Sequence, residues 1–265
     1  VKATFFHAPR DIRVAEVPDA EPGAGEVLLD VTAVGICGSD LHTYVYGDVG
    51  GITAAEPLTL GHEAAGVVVA LGPEVGLRPG QRVAIDPARA CGRCERCQAG
   101  EPHLCLHLAF MGLYPYHGAL RQRMVYPASG CVPVPASISD VGAAMLEPLG
   151  VALHASRLAE IQIGEDVAVL GCGAIGLLLI RLARLAGARR IFASDPHPWR
   201  RDAAAAFGAE VVLDAGAVGA LEAAIIIATA IAAAQPARLF GLDLARGPAG
   251  RPVDEVVVLA RHFLI

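Results

Sequence analysis

Val167-Ala168-Val169-Leu170-Gly171-Cys172-Gly173-Ala174-Ile175-Gly176 is a short apolar run that stops in three glycines spaced G-x-G-x-x-G. Beyond it the period becomes helical. Ile175, Leu178, Leu179, Leu182 and Leu185 recur on one face, Arg181 and Arg184 lie off it, and Gly187 is placed to end the helix. A second strand, Ile191-Phe192-Ala193-Ser194, then ends at Asp195. Glycine-rich turns are common on their own; what decides here is a strand before the glycines, a helix opening from them, and an acid about 20 residues further on.

That context predicts a βαβ unit built to hold a dinucleotide. Gly171 permits the tight turn, Gly173 lets the backbone approach a pyrophosphate, and Gly176 lets helix pack on strand. The helix N-terminus offers unpaired N–H groups to the phosphates. Asp195 can accept hydrogen bonds from a ribose diol and repels a 2′-phosphate, which favours NAD over NADP. Arg200 and Arg201 stand close enough to hold a phosphate instead, or serve only as a solvated helix face. The competing reading is a βαβ unit that binds nothing.

The totals bound the rest. At 265 residues the chain has room for one large or two ordinary domains, and 54% hydrophobic with 18% charged residues marks a globular, not a disordered, protein. A formal charge of -6 supplies no basic surface, so no nucleic-acid partner is expected. No membrane partner is expected either: the apolar tract from Ala223 to Ala234 is too short to span a bilayer, and Gln235-Pro236 ends it. Seven cysteines, four of them clustered, favour metal binding in a reducing cytoplasm over a disulfide framework.

From Lys2 to about Tyr126 short strands alternate with turns. Val27–Val31, Ala65–Val69 and Arg82–Ile85 are candidate strands, punctuated by Pro22-Gly23, Gly72-Pro73 and Pro79-Gly80. The spacing predicts a compact, barrel-like β domain. On its loops would stand Cys37-Gly38-Ser39-Asp40-Leu41-His42 and Gly61-His62-Glu63, with a further acid at Glu147 in Glu147-Pro148-Leu149. Thiolate, imidazole and carboxylate are zinc ligands, and a catalytic site needs three protein groups and one open position. Cys37, His62 and one carboxylate are therefore the expected catalytic-zinc set. Taken singly, each of these residues is as well explained as a buried hydrophobe or a satisfied polar group.

Cys91-Gly92-Arg93-Cys94-Glu95-Arg96-Cys97 and Cys105 carry the sharpest local spacing in the chain. Four thiolates can close a tetrahedron around a structural zinc. An iron–sulfur cluster, disulfides and an unmetallated lobe remain as alternatives, although the ferredoxin run places its fourth cysteine sooner and follows it with proline, whereas Leu106 follows Cys105.

In this order, the five motifs resemble those of zinc-dependent medium-chain dehydrogenases, most closely the sorbitol (polyol) and threonine dehydrogenase branch. The resemblance runs from residue 1 to about residue 214. It implies an α/β protein with a β-rich N-terminal part: a GroES-like catalytic β-barrel domain over 1–150, with a structural-zinc lobe at 91–105, then a doubly wound Rossmann NAD-binding domain over 151–265, with the active site in the cleft between them. It makes Cys37, His62 and Glu63 candidate ligands, with Glu147 a further ligand or the holder of a zinc-bound water; the sequence does not choose between the two carboxylates. It gives Ser39 and His42 a proton relay, puts Ile175 near the nucleotide, and brings Asp195 and Arg200 to the adenosine ribose. It also implies a homodimer or homotetramer.

Two departures stand out. His117-Gly118 replaces the frequent Asp-Gly, and the tail does not follow the family, so residues are expected to be missing after Asp214 and at the end. Val1 in place of Met points the same way; the alternative is a genuinely short protein. Leu239-Phe240-Gly241-Leu242 is a candidate late strand. The expected reaction is oxidation of a secondary alcohol, a polyol or hydroxy amino acid, with NAD+ as hydride acceptor, one catalytic and one structural zinc, and a small-molecule alcohol as partner. Its rivals are the same chemistry on L-threonine or a simple alcohol, and, from another class, a non-catalytic NAD-binding zinc scaffold.

Overall fold

The computed structural model describes residues 1–219, Ala223, Ile227 and Val257–Leu259. The expected strand at Leu239-Phe240-Gly241-Leu242, the closing Phe263-Leu264-Ile265 and most of the tract from Ala223 to Ala234 lie outside the described residues. The chain divides into two compact units, one from Val1 to Glu147 and one that begins at Pro148.

In the first unit, β1 (Lys2–Ala8) and β2 (Asp11–Glu16) form a hairpin, and β3 (Glu26–Gly35) leads into α1 (Gly38–Tyr46). The short strands β4 (Asp48–Val49) and β5 (Ile52–Thr53) precede the long β6 (Glu63–Leu71) and β7 (Arg82–Ile85). A ribbon of β8 (Ala88–Arg89) and β9 (Ala109–Phe110) brackets the one-turn helix α2 (Glu95–Gln98). After β10 (Arg123–Pro127) and β11 (Cys131–Pro133) come α3 (Asp140–Ala144) and the first two residues of α4 (Leu146–Leu158), the rest of which belongs to the second unit. The strands expected at 27–31, 65–69 and 82–85 fall inside β3, β6 and β7.

The main sheet is antiparallel with the order β10-β3-β6-β7-β11. Alternation along β10 turns Met124 and Tyr126 inward, where they meet Val27, Leu29, Val68 and Val83 in the core. The two edge strands are joined by a single turn, Ala128–Gly130. That link reaches roughly 14 Å when fully extended, whereas a flat five-stranded sheet is about 19 Å across. The sheet must therefore be rolled. Its edges do not pair among the described residues, which corrects the expected barrel: the seam is filled by the turn, with Ala128 N–H donating to Gly25 O (2.9 Å), Asp86 N–H to Gly130 O (2.8 Å) and Tyr126 Oη to Asp86 O (2.8 Å).

The second unit holds β12 (Asp166–Leu170), α5 (Ala174–Leu185), β13 (Arg190–Asp195), α6 (Pro198–Phe207), β14 (Val211–Asp214), α7 (Ala215–Val218) and β15 (Val257–Leu259). The sheet is parallel with the order β14-β13-β12-β15, the sequence of half a dinucleotide fold. Consecutive residues Asp166 to Val169 are all buried, so both faces of β12 are covered.

The fully buried stripe of α5 is Gly176, Leu179, Ile180 and Ala183; of the expected face, Ile175, Leu178 and Leu182 pack partly buried against the same core and Leu185 alone turns outward. The small side chains of Gly176 and Ala183 let the helix close on the sheet and set the contact line, leaving Leu185 73% exposed. Arg184 is likewise drawn inward, donating to Gly208 O and pairing with Glu210.

At the start of β12 the buried Asp166 meets Arg189 in a two-pronged contact (2.9 and 2.7 Å) and also Arg190. Burial favours the neutral acid, but the two guanidiniums outweigh it and bring the carboxyl down to about 2. The folded value lies below the unfolded one, so the pair stabilises above pH 4 and is lost as pH falls toward 2. Asp166→Asn is expected to cost about 2 kcal/mol at pH 7 and close to nothing at pH 2, read by urea unfolding at both.

Candidate functional site

The β3–β6 ladder sets the first cluster. Gly35 ends β3 opposite Glu63, the first residue of β6. A Cβ on Gly35 would strike the Glu63 carboxylate, so the missing side chain makes the cradle in which that acid lies. Two residues after Gly35, Cys37 caps the N-terminus of α1 in an extended conformation. His62 sits immediately before β6, 5% exposed, with its ring edge-on to Phe110 at 5.4 Å. One donor atom from each of Cys37, His62 and Glu63 lies within 4.8 Å of the others.

Asp40 ties the two loops together. One carboxylate oxygen accepts from Cys37 N–H (3.0 Å), the other from Gly61 N–H (2.9 Å), and His62 Nδ1 stands 3.8 Å away. Gly61 needs its positive φ of 91°, and Gly118, Ala119 and Leu120 donate to Thr59 O, Gly61 O and Leu60 O, fixing the chain that delivers His62. Asp40→Ala would leave two backbone donors without partners. It is expected to weaken zinc binding about 10- to 100-fold, the usual effect of removing a group that orients ligands, as measured by competition with a chromogenic chelator.

Electrostatics favour a cation. Burial raises the Cys37 thiol against hydrogen bonds from Ser39, and Glu63 and Asp40 raise it further. Burial also raises Glu63, with His62 and Cys37 opposing. Glu147, in the first turn of α4, is raised by burial; His62 opposes, while Glu63, Asp86 and Asp40 add to the rise. His62 Nδ1 is buried with no hydrogen-bond partner. A soft sulfur, an imidazole and a carboxylate in mutual reach are a set that zinc satisfies. Glu63 is the carboxylate inside the group of three, and Glu147 stays outside it, within electrostatic reach of His62. Ser39 lies against the Cys37 sulfur. One turn on, His42 Nδ1 is 2.8 Å from Asp48 O. A carbonyl only accepts, so Nδ1 carries the proton and Nε2 is left as an acceptor.

The second cluster is the lobe of Cys91, Cys94, Cys97 and Cys105, all four sulfurs within 4.8 Å of one another. The sulfur–sulfur distances Cys91–Cys97, Cys94–Cys97 and Cys94–Cys105 are 4.0, 3.5 and 3.9 Å. The edge of a tetrahedron with arms of about 2.3 Å is about 3.8 Å, so the spacing fits one zinc. It excludes disulfides, whose sulfurs stand about 2.05 Å apart, and all four thiols are free. Backbone N–H groups point at the sulfurs: Cys91 and His107 donate to Cys105 Sγ at 3.2 and 3.3 Å, and Cys94 to Cys91 Sγ at 3.4 Å. Backbone donors at Cys97 and Leu106 bring the Cys94 thiol down to about 6, while burial and the neighbouring thiols push Cys97 up to about 12. Four thiolates this close cannot all ionise unless a cation joins them.

The glycine loop takes the form the spacing predicts. Gly171 has φ 96°, the space over Gly173 is open, and a Cβ on Gly176 would collide with Gly171 O. Asp195 ends β13 but is fully buried, its oxygens accepting Cys172 N–H and His197 N–H at 2.9 Å each, with Arg200 at 3.6 Å. Arg200 also lies over the Trp199 ring. Arg201 is held elsewhere, donating to Asp195 O and pairing with Asp214.

Residues 23–136 match the alcohol dehydrogenase GroES-like domain. Along a longer stretch the chain is similar to an oxidoreductase/dehydrogenase of unknown specificity, involved in membrane biogenesis, from Escherichia coli: 32% identity, TM-score 0.81, covering 89% of this chain and 67% of that one. The chain belongs to the zinc-dependent medium-chain dehydrogenase family. Within that family, sorbitol dehydrogenase of Bacillus subtilis is 37% identical over 223 residues, 84% of this chain. This chain spans 63% of that relative's length. A short chain alcohol dehydrogenase from Escherichia coli CFT073, complexed with NADH, is 31% identical with a TM-score of 0.73, over 80% of this chain and 61% of that one.

Sequence reasoning did not assign Asp40, Gly35 or Phe110. The first had a signal, an acid three residues after a helix-capping Cys; the other two act through strand partners that no local pattern shows.

Proposed function

We propose that the protein is an NAD-dependent, zinc-requiring dehydrogenase of secondary alcohols, with polyols such as sorbitol as the leading substrate class. The observation that carries this reading is the convergence of Cys37, His62 and Glu63 on one point. Zinc held by these three would supply a Lewis acid that lowers the pKa of the substrate hydroxyl. NAD+ bound at the glycine loop would supply the hydride acceptor.

The chain's own groups do the rest. Ser39 passes the hydroxyl proton on, and His42 receives it at Nε2, the nitrogen left basic by the Asp48 contact. Phe110 keeps water from the His62 ring. Glu147 orients the fourth position without entering the three-ligand group. Cys91, Cys94, Cys97 and Cys105 hold the structural zinc. In the second unit Gly171, Gly173 and Gly176 shape the loop, Gly173 opens the way to the pyrophosphate, and Ile175 packs on the nucleotide. Asp195, at the tip of β13 with Arg200 beside it, is the acid that meets the ribose diol and disfavours a 2′-phosphate. The domains are assigned as 1–150, GroES-like, and 151–265, a doubly wound Rossmann sheet. Free thiols support a reducing, cytoplasmic setting, and a homodimer or homotetramer follows by analogy with the family.

The test is a panel of sugar alcohols, L-threonine and short diols with NAD+ and with NADP+, followed by NADH or NADPH absorbance, on protein with its zinc content measured. Oxidation of a polyol with NAD+ and two zincs per chain is expected. One zinc per chain and no turnover on any alcohol would support the scaffold reading instead.

A further inference from the structure

Trp199 is the chain's only tryptophan, and it is 64% exposed although it is the largest side chain present. It is the second residue of α6, just beyond the tip of β13, where Asp195 stands. Its neighbours show what it holds. The Arg200 guanidinium carbon lies over the indole, 4.8 Å from its centroid and within cation–π range, and the His197 ring stacks on the indole with centroids 6.0 Å apart and planes 22° apart.

Little else grips Arg200. Its Nε and Nη1 are buried with no hydrogen-bond partner among the described residues, and its ion-pair partner Asp195 stands 3.6 Å from Nη1, too far for a hydrogen bond. The Asp195 carboxylate already accepts from Cys172 N–H and His197 N–H. Arg201, the next residue, is tied down differently: it donates to Asp195 O and Pro196 O and pairs with Asp214 at 2.8 Å. Of the two arginines, Arg200 is therefore the one whose position depends on a ring face, and with 22% of its side chain exposed it is not enclosed. Where its guanidinium points matters for the coenzyme. Held against Asp195, it leaves the acid as the group that meets a ribose diol; swung outward, it is a planar fork suited to a 2′-phosphate.

We propose that Trp199 is a positioning residue for coenzyme choice: its indole face holds Arg200 back beside Asp195 and so keeps the site selective for NAD over NADP. The inference rests on the reading of the glycine loop and Asp195 as the NAD site. Trp199 acts through Arg200, so its removal should change which coenzyme is preferred more than it changes whether one is bound.

Calorimetric titration of the full chain with NADH and with NADPH tests it and needs no turnover. The parent protein should bind NADH the more tightly. Trp199→Ala should lower the ratio of the NADPH Kd to the NADH Kd by about threefold or more, and Trp199→Phe, which keeps a ring face for the guanidinium, should retain the parent ratio. Adding Arg200→Leu to Trp199→Ala should abolish the gain. Should Trp199→Ala not fold, Trp199→Leu, apolar but without a π face, takes its place. An unchanged ratio in Trp199→Ala, a Trp199→Phe ratio equal to that of Trp199→Ala, or a gain that survives the loss of Arg200 would overturn the proposal and leave the NAD site standing. A parent protein that binds neither coenzyme would bring down the NAD reading itself, and this proposal with it.

Discussion

Cys37→Ala is expected to lower kcat by on the order of 10^3-fold or more, while the Kd for NAD+ stays within about twofold. The size follows from the chemistry: a metal that stabilises developing alkoxide charge contributes several kcal/mol, and each 1.36 kcal/mol is a factor of ten. Removing the sulfur leaves His62 and Glu63, two ligands where three are needed. The nucleotide loop is built from residues 171–195 and shares no hydrogen bond with Cys37, so binding should not follow turnover down. Stopped-flow turnover and fluorescence titration with NADH give the two readouts. Equal kcat in parent and variant would remove Cys37 from the chemistry altogether.

Cys97→Ala carries the largest structural effect. Neither α2 nor the turn at Pro102–Leu104 buries a residue, and Cys105 is the only buried cysteine of the lobe. A segment with so little apolar packing draws its folding free energy from the metal, on the order of 10 kcal/mol in isolated zinc peptides. With three thiols left, one zinc per chain should be lost and the segment 91–105 should open, cut by protease at least tenfold faster. The Asp166–Arg189 pair and the second unit should be untouched. Two zincs per chain and unchanged cleavage would show that the lobe holds itself without metal.

Much of this architecture was legible in advance because its signals are local. The strands at 82–85 and 167–170, the glycine loop and the four-cysteine lobe each announce themselves within a few residues. What stayed hidden depends on partners distant in sequence. Glu63 and Glu147 could not be separated until the Gly35–Glu63 register placed one of them against Cys37. Asp40 acts through Gly61, 21 residues away. On α5 the leucine period finds Ile175, Leu178, Leu179 and Leu182 on the core side, but it does not show that Leu185 is exposed or that Gly176 and Ala183 permit the close approach. Asp195 was correctly placed at a strand tip, but its burial under Cys172, His197 and Arg200 has no signature in the spacing.

The rolled sheet has a consequence for how the protein is made. β3, which leads to Cys37, is completed on one side by β10, whose Arg123 meets Asp30, 93 positions earlier in the chain. During synthesis the loops of Cys37 and His62 leave the ribosome long before the strand that locks them exists, and closing so long a segment is slow. Until β10 has emerged, the three ligands stay unassembled. Free zinc met earlier would find only the cysteine lobe ready to take it.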